Sequence, residues 1–262
     1  MSDRLSPSRV AAVARHDLRI LRSDPAFLLI FTLMPLAFMA FSERSIGAAL
    51  SVEFPGRDVN GAAYAVPSAT VLFSGFLVGN VGFGIFREHG WGTWERLRSS
   101  PLSPVELILG KSLVPILCLA IQLTVLLGGG ALLFGMELRG SLPAFVAVGV
   151  ALAFMELALG FMLLAICRSV VQLNALSNAG AMLLGGLGGA VTPVEFLPGW
   201  AQAVAPATPA YWAMRGFRAV TIDSGGIGDV LLPLAVLAGF TVAFTVVALV
   251  RFEVEDAKVS WA

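Results

Sequence analysis

The chain has 262 residues, 57% of them hydrophobic and only 13% charged, with a mean hydropathy of +0.86. A soluble domain carries about 25% charged residues, so a globule of this length in water could not cover so much apolar surface, and lipid is the natural solvent for the excess. Net charge is zero, which gives no basis for nucleic-acid binding, and the two cysteines, Cys118 and Cys167, sit in or beside apolar runs and support neither a disulfide scaffold nor a metal cluster.

The first 25 residues carry Arg4, Arg9, Arg15, Arg19 and Arg22 and no long apolar core, so no cleavable signal peptide is expected there. Residues 8–22 read instead as a surface helix, with Ser6 as its cap and Pro7 at its first position. Arg15, Arg19 and Arg22 share one face, and Ala14, Leu18 and Leu21 form an apolar stripe beside it. That pattern suits a helix lying in the headgroup plane; an ordinary charged juxtamembrane tail is the alternative. Six apolar runs follow, at about 26–42, 67–86, 112–135, 142–166, 172–191 and 230–250, each near the roughly 20 residues a span needs. Backbone groups in lipid must be satisfied within the segment, so these are predicted helices. The whole is predicted as a single all-α transmembrane domain over 1–262: an interfacial helix in 1–25, six spans within 26–250 and a tail at 251–262.

Lys and Arg are unevenly shared between the two sides. The N-terminus, the 87–111 segment, the Arg168 turn and the C-terminus hold Arg4, Arg9, Arg15, Arg19, Arg22, Arg87, Arg96, Arg98, Lys111, Arg168, Arg251 and Lys258. The opposite side holds Arg44, Arg57, Arg139, Arg215 and Arg218. By the positive-inside rule the first side is cytoplasmic, with both termini inside.

The segment Arg87–Lys111 is the largest polar insertion between spans. Read as one helix, it puts Glu88, Gly92, Glu95 and Ser99 on one face and Arg87, Trp91, Trp94 and Arg98 on the next. The tryptophans favour the membrane interface, which points the acidic face into the cytosol. Ser99-Ser100-Pro101 stops this helix, and Ser103 with Glu106 forms a capping box for another, with Pro104 at its start.

The order Glu88, Gly92-Thr93, Glu95, Leu97, Pro101-Leu102-Ser103, Gly110-Lys111 resembles the cytoplasmic signature of type-2 ABC permeases, especially those of the daunorubicin-resistance type. The resemblance implies a coupling helix docked in a cleft of an ABC ATPase subunit, and it places Arg87, Glu88, Gly92, Thr93, Glu95, Arg96 and Pro101 at that contact. It also implies two ATPase copies, a permease homodimer in a bacterial inner membrane, and no cofactor on this chain, with ATP and Mg bound by the partner. Gly110-Lys111-Ser112 imitates the end of a phosphate-binding loop, but the glycine needed five residues earlier is Val105 and no strand precedes it. The chain is therefore expected not to be an enzyme.

A second matching stretch is 192–220, cut into short helices by its prolines. Pro193, Leu197, Pro198, Trp200, Pro206, Pro209, Tyr211 and Arg215 resemble the family's external re-entrant hairpin, which implies an outer-gate role; a loop that merely caps the bundle is the plain alternative. Inside the spans Glu156 stands out, because an unpaired charge at mid-bilayer costs at least about 2.5 kcal/mol. Either it lines a transport path, with Asn80, Gln122 and Asn178 as further polar candidates, or it is a protonated acid hydrogen-bonded to a neighbour such as Asn174 or Asn178. Gly75/Gly79 and Gly185/Gly189 are small-residue pairs that allow close helix approach, within the chain or, for the second pair, between two copies.

The function expected is export of an amphiphilic drug, lipid or glycoconjugate, driven by ATP on the partner. The alternatives are a proton-coupled transporter using Glu156 and a non-transporting membrane subunit that binds an ATPase. Against the first stands the lack of an internal repeat. A membrane enzyme is disfavoured because His16 and His89 are the only histidines and no nucleophile or metal constellation accompanies them.

Overall fold

A computed structural model describes residues 5–53 and 60–251. Of the tail expected at 251–262 only Arg251 is described, and Arg4, Arg57 and Lys258 lie outside the described residues. The architecture is all-α. In chain order the helices are α1 (Pro7–Ser23), α2 (Ala26–Glu53), α3 (Ala62–Leu77), α4 (Gly79–Gly90), α5 (Trp94–Arg98), α6 (Pro104–Leu123), α7 (Gly130–Phe134), α8 (Leu142–Ile166), α9 (Val170–Leu187), α10 (Gly199–Val204), α11 (Pro209–Thr221) and α12 (Leu231–Arg251). A π-helical turn, Thr124–Gly129, joins α6 to α7. Six stretches are long and apolar enough to cross a membrane: Leu28–Ala48, Ala62–Gly90, Val105–Phe134, Leu142–Ile166, Val170–Leu187 and Gly228–Arg251.

The spans match the apolar runs of the sequence, and their ends differ for local reasons. α2 continues to Glu53 rather than stopping near residue 42. Loss of hydrophobicity alone does not end a helix, and no proline falls between residue 42 and Glu53. The polar residues there bond back to their own helix, Ser42 to Phe38 and Ser51 to Gly47. The second span begins at Ala62, ahead of Pro67, and shifts register at Val78, where the Val78 N–H bonds the Gly75 carbonyl.

That second span is the pillar of the molecule. Its most apolar window is 76% buried inside the chain, against 17–44% for the other five. α3 packs on α2, α9 and α11, and α4 packs on α8 and α9, while α8 and α12 run against each other. Gly160 of α8 makes the α4 contact close: a Cβ there would stand 2.7 Å from the Val81 side chain. The larger apolar core gathers Met39, Leu50, Val66, Leu126, Leu152, Phe217 and Leu237. A smaller one gathers Val13, Phe86, Leu107, Leu164, Cys167 and Leu173, and it marks the end of the bundle where α1 docks. The glycine pairs serve packing within the chain: Gly75 lies against Ala181, Gly79 against Ser177 and Gly185 against Leu72.

Candidate functional site

At the α1 end, the turn between α4 and α6 is held by buried charge. Lys111 of α6 is 4% exposed, and its Nζ donates to Asp17 Oδ1 of α1 at 2.8 Å and to Glu88 Oε1 of α4 at 2.7 Å. Asp17 and Glu88 are equally enclosed, at 6% and 2% exposed. Thr93 donates its hydroxyl to the other Glu88 oxygen, and its N–H bonds the Glu88 carbonyl at 3.0 Å. Arg87 adds a longer approach to Asp17 at 3.8 Å and stacks over the Trp91 ring, 5.0 Å from its centroid. One ammonium thus joins three elements, α1, α4 and α6. Taking such charges out of water is costly, and removing a single partner strands the rest, at about 3–5 kcal/mol.

A second tie lies beside it. Glu106 accepts from Ser103 N–H at 2.9 Å and from Ser6 N–H at 2.7 Å, while Ser103 Oγ accepts from Glu106 N–H at 3.2 Å. The capping box expected at Ser103 is therefore present. The cap expected from the Ser6 side chain is not: Ser6 Oγ pairs with Ser8, and it is the Ser6 N–H that is engaged, by Glu106. Arg9 donates to the Pro101 carbonyl at 2.8 Å and lies 3.5 Å from Glu106. Gly110 lets α1 close on α6, since a Cβ there would meet Val13 at 2.6 Å.

The single helix expected from Glu88 to Ser99 is broken. α4 ends at Gly90, Gly92 takes a left-handed φ of +66°, and α5 restarts at Trp94. Glycine is the residue that adopts that conformation without Cβ strain. The break separates the acidic residues. Glu88 points inward to Lys111, so its carboxylate does not form the cytosolic face expected of it. Trp91, Gly92, Glu95, Arg96 and Pro101 are exposed, and Thr93 is half-buried. Asp17 was not singled out in the sequence, although it is the lone acid in a basic stretch, residues 8–22. His16, Asp17 and Glu88 approach one another closely enough to suggest a metal site, but the Lys111 ammonium already bridges the two carboxylates.

Glu156 lies in the middle of α8, 3% exposed. Its Oε1 accepts from Ser74 of α3 at 2.7 Å, and its Oε2 has no hydrogen-bond partner among the described residues. The partner is thus Ser74 rather than Asn174 or Asn178, which are exposed on α9. Two cavities meet at Glu156. One, of about 430 Å³, opens toward Asp17, Arg87, Trp91 and Lys111. The other, of about 240 Å³, runs toward Ser177 and the start of α11 at Pro209. Gln122 does not join them; its amide donates to the carbonyls of Phe31 at 2.8 Å and Phe73 at 3.2 Å, bracing α2 and α3 on α6. Asn80 is in α4, and its side chain lies outside the described residues.

At the opposite end, α10 and α11 fill the stretch between the last two spans. Pro209 starts α11, and Thr208 caps it by accepting from Tyr211 N–H at 3.3 Å. Tyr211 meets Trp212 edge-on at 5.3 Å, and Arg215 stacks over Trp212 at 5.4 Å. Pro198 and Trp200 are exposed. Glu195 pairs with Arg218, tying the start of this stretch to α11.

Residues 10–222 match the model of the ABC-2 type transporter family. The chain belongs to that family. Its six apolar helices accordingly make it a multi-pass membrane protein of the ABC-2 permease kind. Among curated proteins, it is 29% identical over 176 residues to the inner membrane transport permease YhhJ of Escherichia coli (strain K12). The same figures hold for YhhJ of Shigella flexneri. The matched stretch is 65% of this ABC-2 chain and 46% of each relative, so the chain spans about half the length of the curated relatives it matches.

Proposed function

We propose that this chain is the permease subunit of an ATP-driven exporter in a bacterial inner membrane, with both termini in the cytoplasm. Two copies form the membrane pore, and two ABC ATPase subunits that bind ATP and Mg dock beneath it. The cargo is an amphiphilic drug, lipid or glycoconjugate moved out of the cytoplasm. One observation carries this reading: an exposed turn, residues 91–101, mounted on a buried ion cluster that reaches two spans and α1 at once.

A docked ATPase pushes on what it touches. Trp91, Gly92, Glu95, Arg96 and Pro101 are exposed and form the contact surface, whereas Arg87, Glu88 and Thr93 lie behind them and hold it in place. Because Lys111 grips Asp17 and Glu88 together, displacement of the turn is delivered to α4, α6 and α1 as one body. Such a push moves the transport equilibrium only insofar as the ATP-bound dimer prefers one arrangement of the spans. α10 and α11, with Pro198, Trp200, Pro209, Tyr211 and Arg215, close the outer side.

The exposed residues of α9 support the pairing of two copies. Asn174 and Asn178 stand one turn apart on an exposed face that continues to Met182. Polar amides facing lipid are unfavourable, and a second copy would give them hydrogen-bond partners.

The direct test is co-purification with an ABC ATPase in detergent or lipid. Native chain is expected to hold the ATPase, and a Glu95→Ala, Arg96→Ala double variant to release it while keeping its own stability. If the native chain binds no ATPase, or the double variant binds it equally well, the proposed docking surface is wrong.

A further inference from the structure

Glu156 is a buried carboxyl with one oxygen left over. Ser74 satisfies Oε1 at 2.7 Å, and among the described residues Oε2 has no partner although Glu156 is 3% exposed. A buried acceptor without a donor is costly, so natural interiors rarely leave one. This one is not sealed in packing, because Glu156 lines both cavities. Around it the first cavity is walled by Leu77, Val81, Val114, Cys118, Leu119 and Leu157. Its volume, about 430 Å³, falls in the range of small-molecule sites. The second cavity continues from Glu156 to the Ser177 hydroxyl, itself buried and lacking a partner among the described residues.

We propose that Glu156 anchors a binding site for a lipophilic amine, whose cationic nitrogen meets the Glu156 Oε2 and whose apolar body fills the first cavity. An apolar pocket with one placed polar group fixes the orientation of such a ligand and selects for its head. The nitrogen supplies the missing donor, and its positive charge favours the ionised carboxyl on binding, which a neutral apolar molecule does not. Entry is from the α1 end, where the cavity reaches Trp91 and Arg87. The site lies within one copy of the chain. It rests on the exporter reading only in making this amine the cargo; as a binding site it stands without an ATPase.

Two glycines make the test clean. Gly84 lines the first cavity and Gly180 the second, and a Cβ at either meets nothing within 4 Å. Leucine at either position fills its cavity without a clash at Cβ. The probe is dansylcadaverine, an aromatic sulfonamide on a short alkyl primary amine, compared with its neutral N-acetyl derivative. Binding is read by dansyl fluorescence with the purified chain in phosphatidylcholine nanodiscs, and protein-free nanodiscs give the partitioning baseline. The native chain is expected to prefer the amine by about tenfold or more, the worth of a hydrogen bond to a charged group. Glu156→Gln, which keeps the shape and the Ser74 bond, is expected to erase that preference while still binding the acetyl probe, which shows that its cavity is intact. Ser74→Ala keeps the preference, since the Glu156 carboxyl remains. Gly84→Leu weakens both probes, and Gly180→Leu spares them. Equal binding of the two probes to the native chain, a preference that survives Glu156→Gln, or affinity untouched by Gly84→Leu would each overturn the proposal. No ATPase is in the assay, so loss of amine selectivity and loss of ATPase docking are read separately.

Discussion

Lys111 is the residue on which the α1 end depends. Its ammonium bridges Asp17 and Glu88, and all three groups are out of water. Lys111→Met leaves two carboxylates without their shared cation, at an expected cost of about 3–5 kcal/mol. Thermal unfolding in detergent should show it as a large drop in Tm. Adding Asp17→Asn and Glu88→Gln to Lys111→Met removes the stranded charge and is expected to recover most of that loss, because neutralising every partner is close to neutral overall. No recovery in the triple variant would mean that Lys111 acts through its packing. Lys111 and Glu88 were both visible in the sequence as motif positions, but their pairing was not. It depends on the turn at Gly92, which brings Thr93 back onto Glu88.

Between elements, close approach and chain reversal are set by a few glycines. Gly160→Ala would put a methyl 2.7 Å from Val81 and 2.9 Å from the Val78 carbonyl, forcing α8 off α4. Overpacking of this kind costs about 1–3 kcal/mol, and Gly180→Ala, which meets open space, is the matched control. Gly92→Ala strains a left-handed position by about 1–2 kcal/mol. It is expected to loosen ATPase binding with little change in overall melting, since the turn lies at the surface. The spans themselves were legible because lipid imposes a length and a composition that any apolar run reports. Their ends were not, because residues 43–53 mix charged and apolar residues and contain no proline to stop a helix. The partner of Glu156 escaped notice for a rotational reason. Asn174 and Asn178 looked able to meet it, but their positions on α9 turn them outward, while Ser74 resembles any other small residue of its span.

For the whole molecule, the exposed α2 and α9 surfaces set the expectation of a dimer. Only 17% and 22% of their most apolar windows are buried within one chain. With Cys118 and Cys167 buried, Asn178→Cys in native membranes is expected to yield an oxidative cross-linked dimer, seen as a doubled mass on a non-reducing gel. A monomer under those conditions would place the seam elsewhere. The family and the arrangement of six spans follow from features that recur along the chain, whereas the proposed amine site hangs on one side chain, Glu156, whose partner Ser74 comes from a helix 82 residues away in sequence. The most direct measurement is ATP turnover by the complex of this chain with an ABC ATPase in proteoliposomes. Turnover is expected to rise above that of the ATPase alone with the native chain, and to fall back with Glu95→Ala, Arg96→Ala. Turnover indifferent to the chain, or unchanged in that variant, would contradict the claim that ATP drives these spans through the exposed turn.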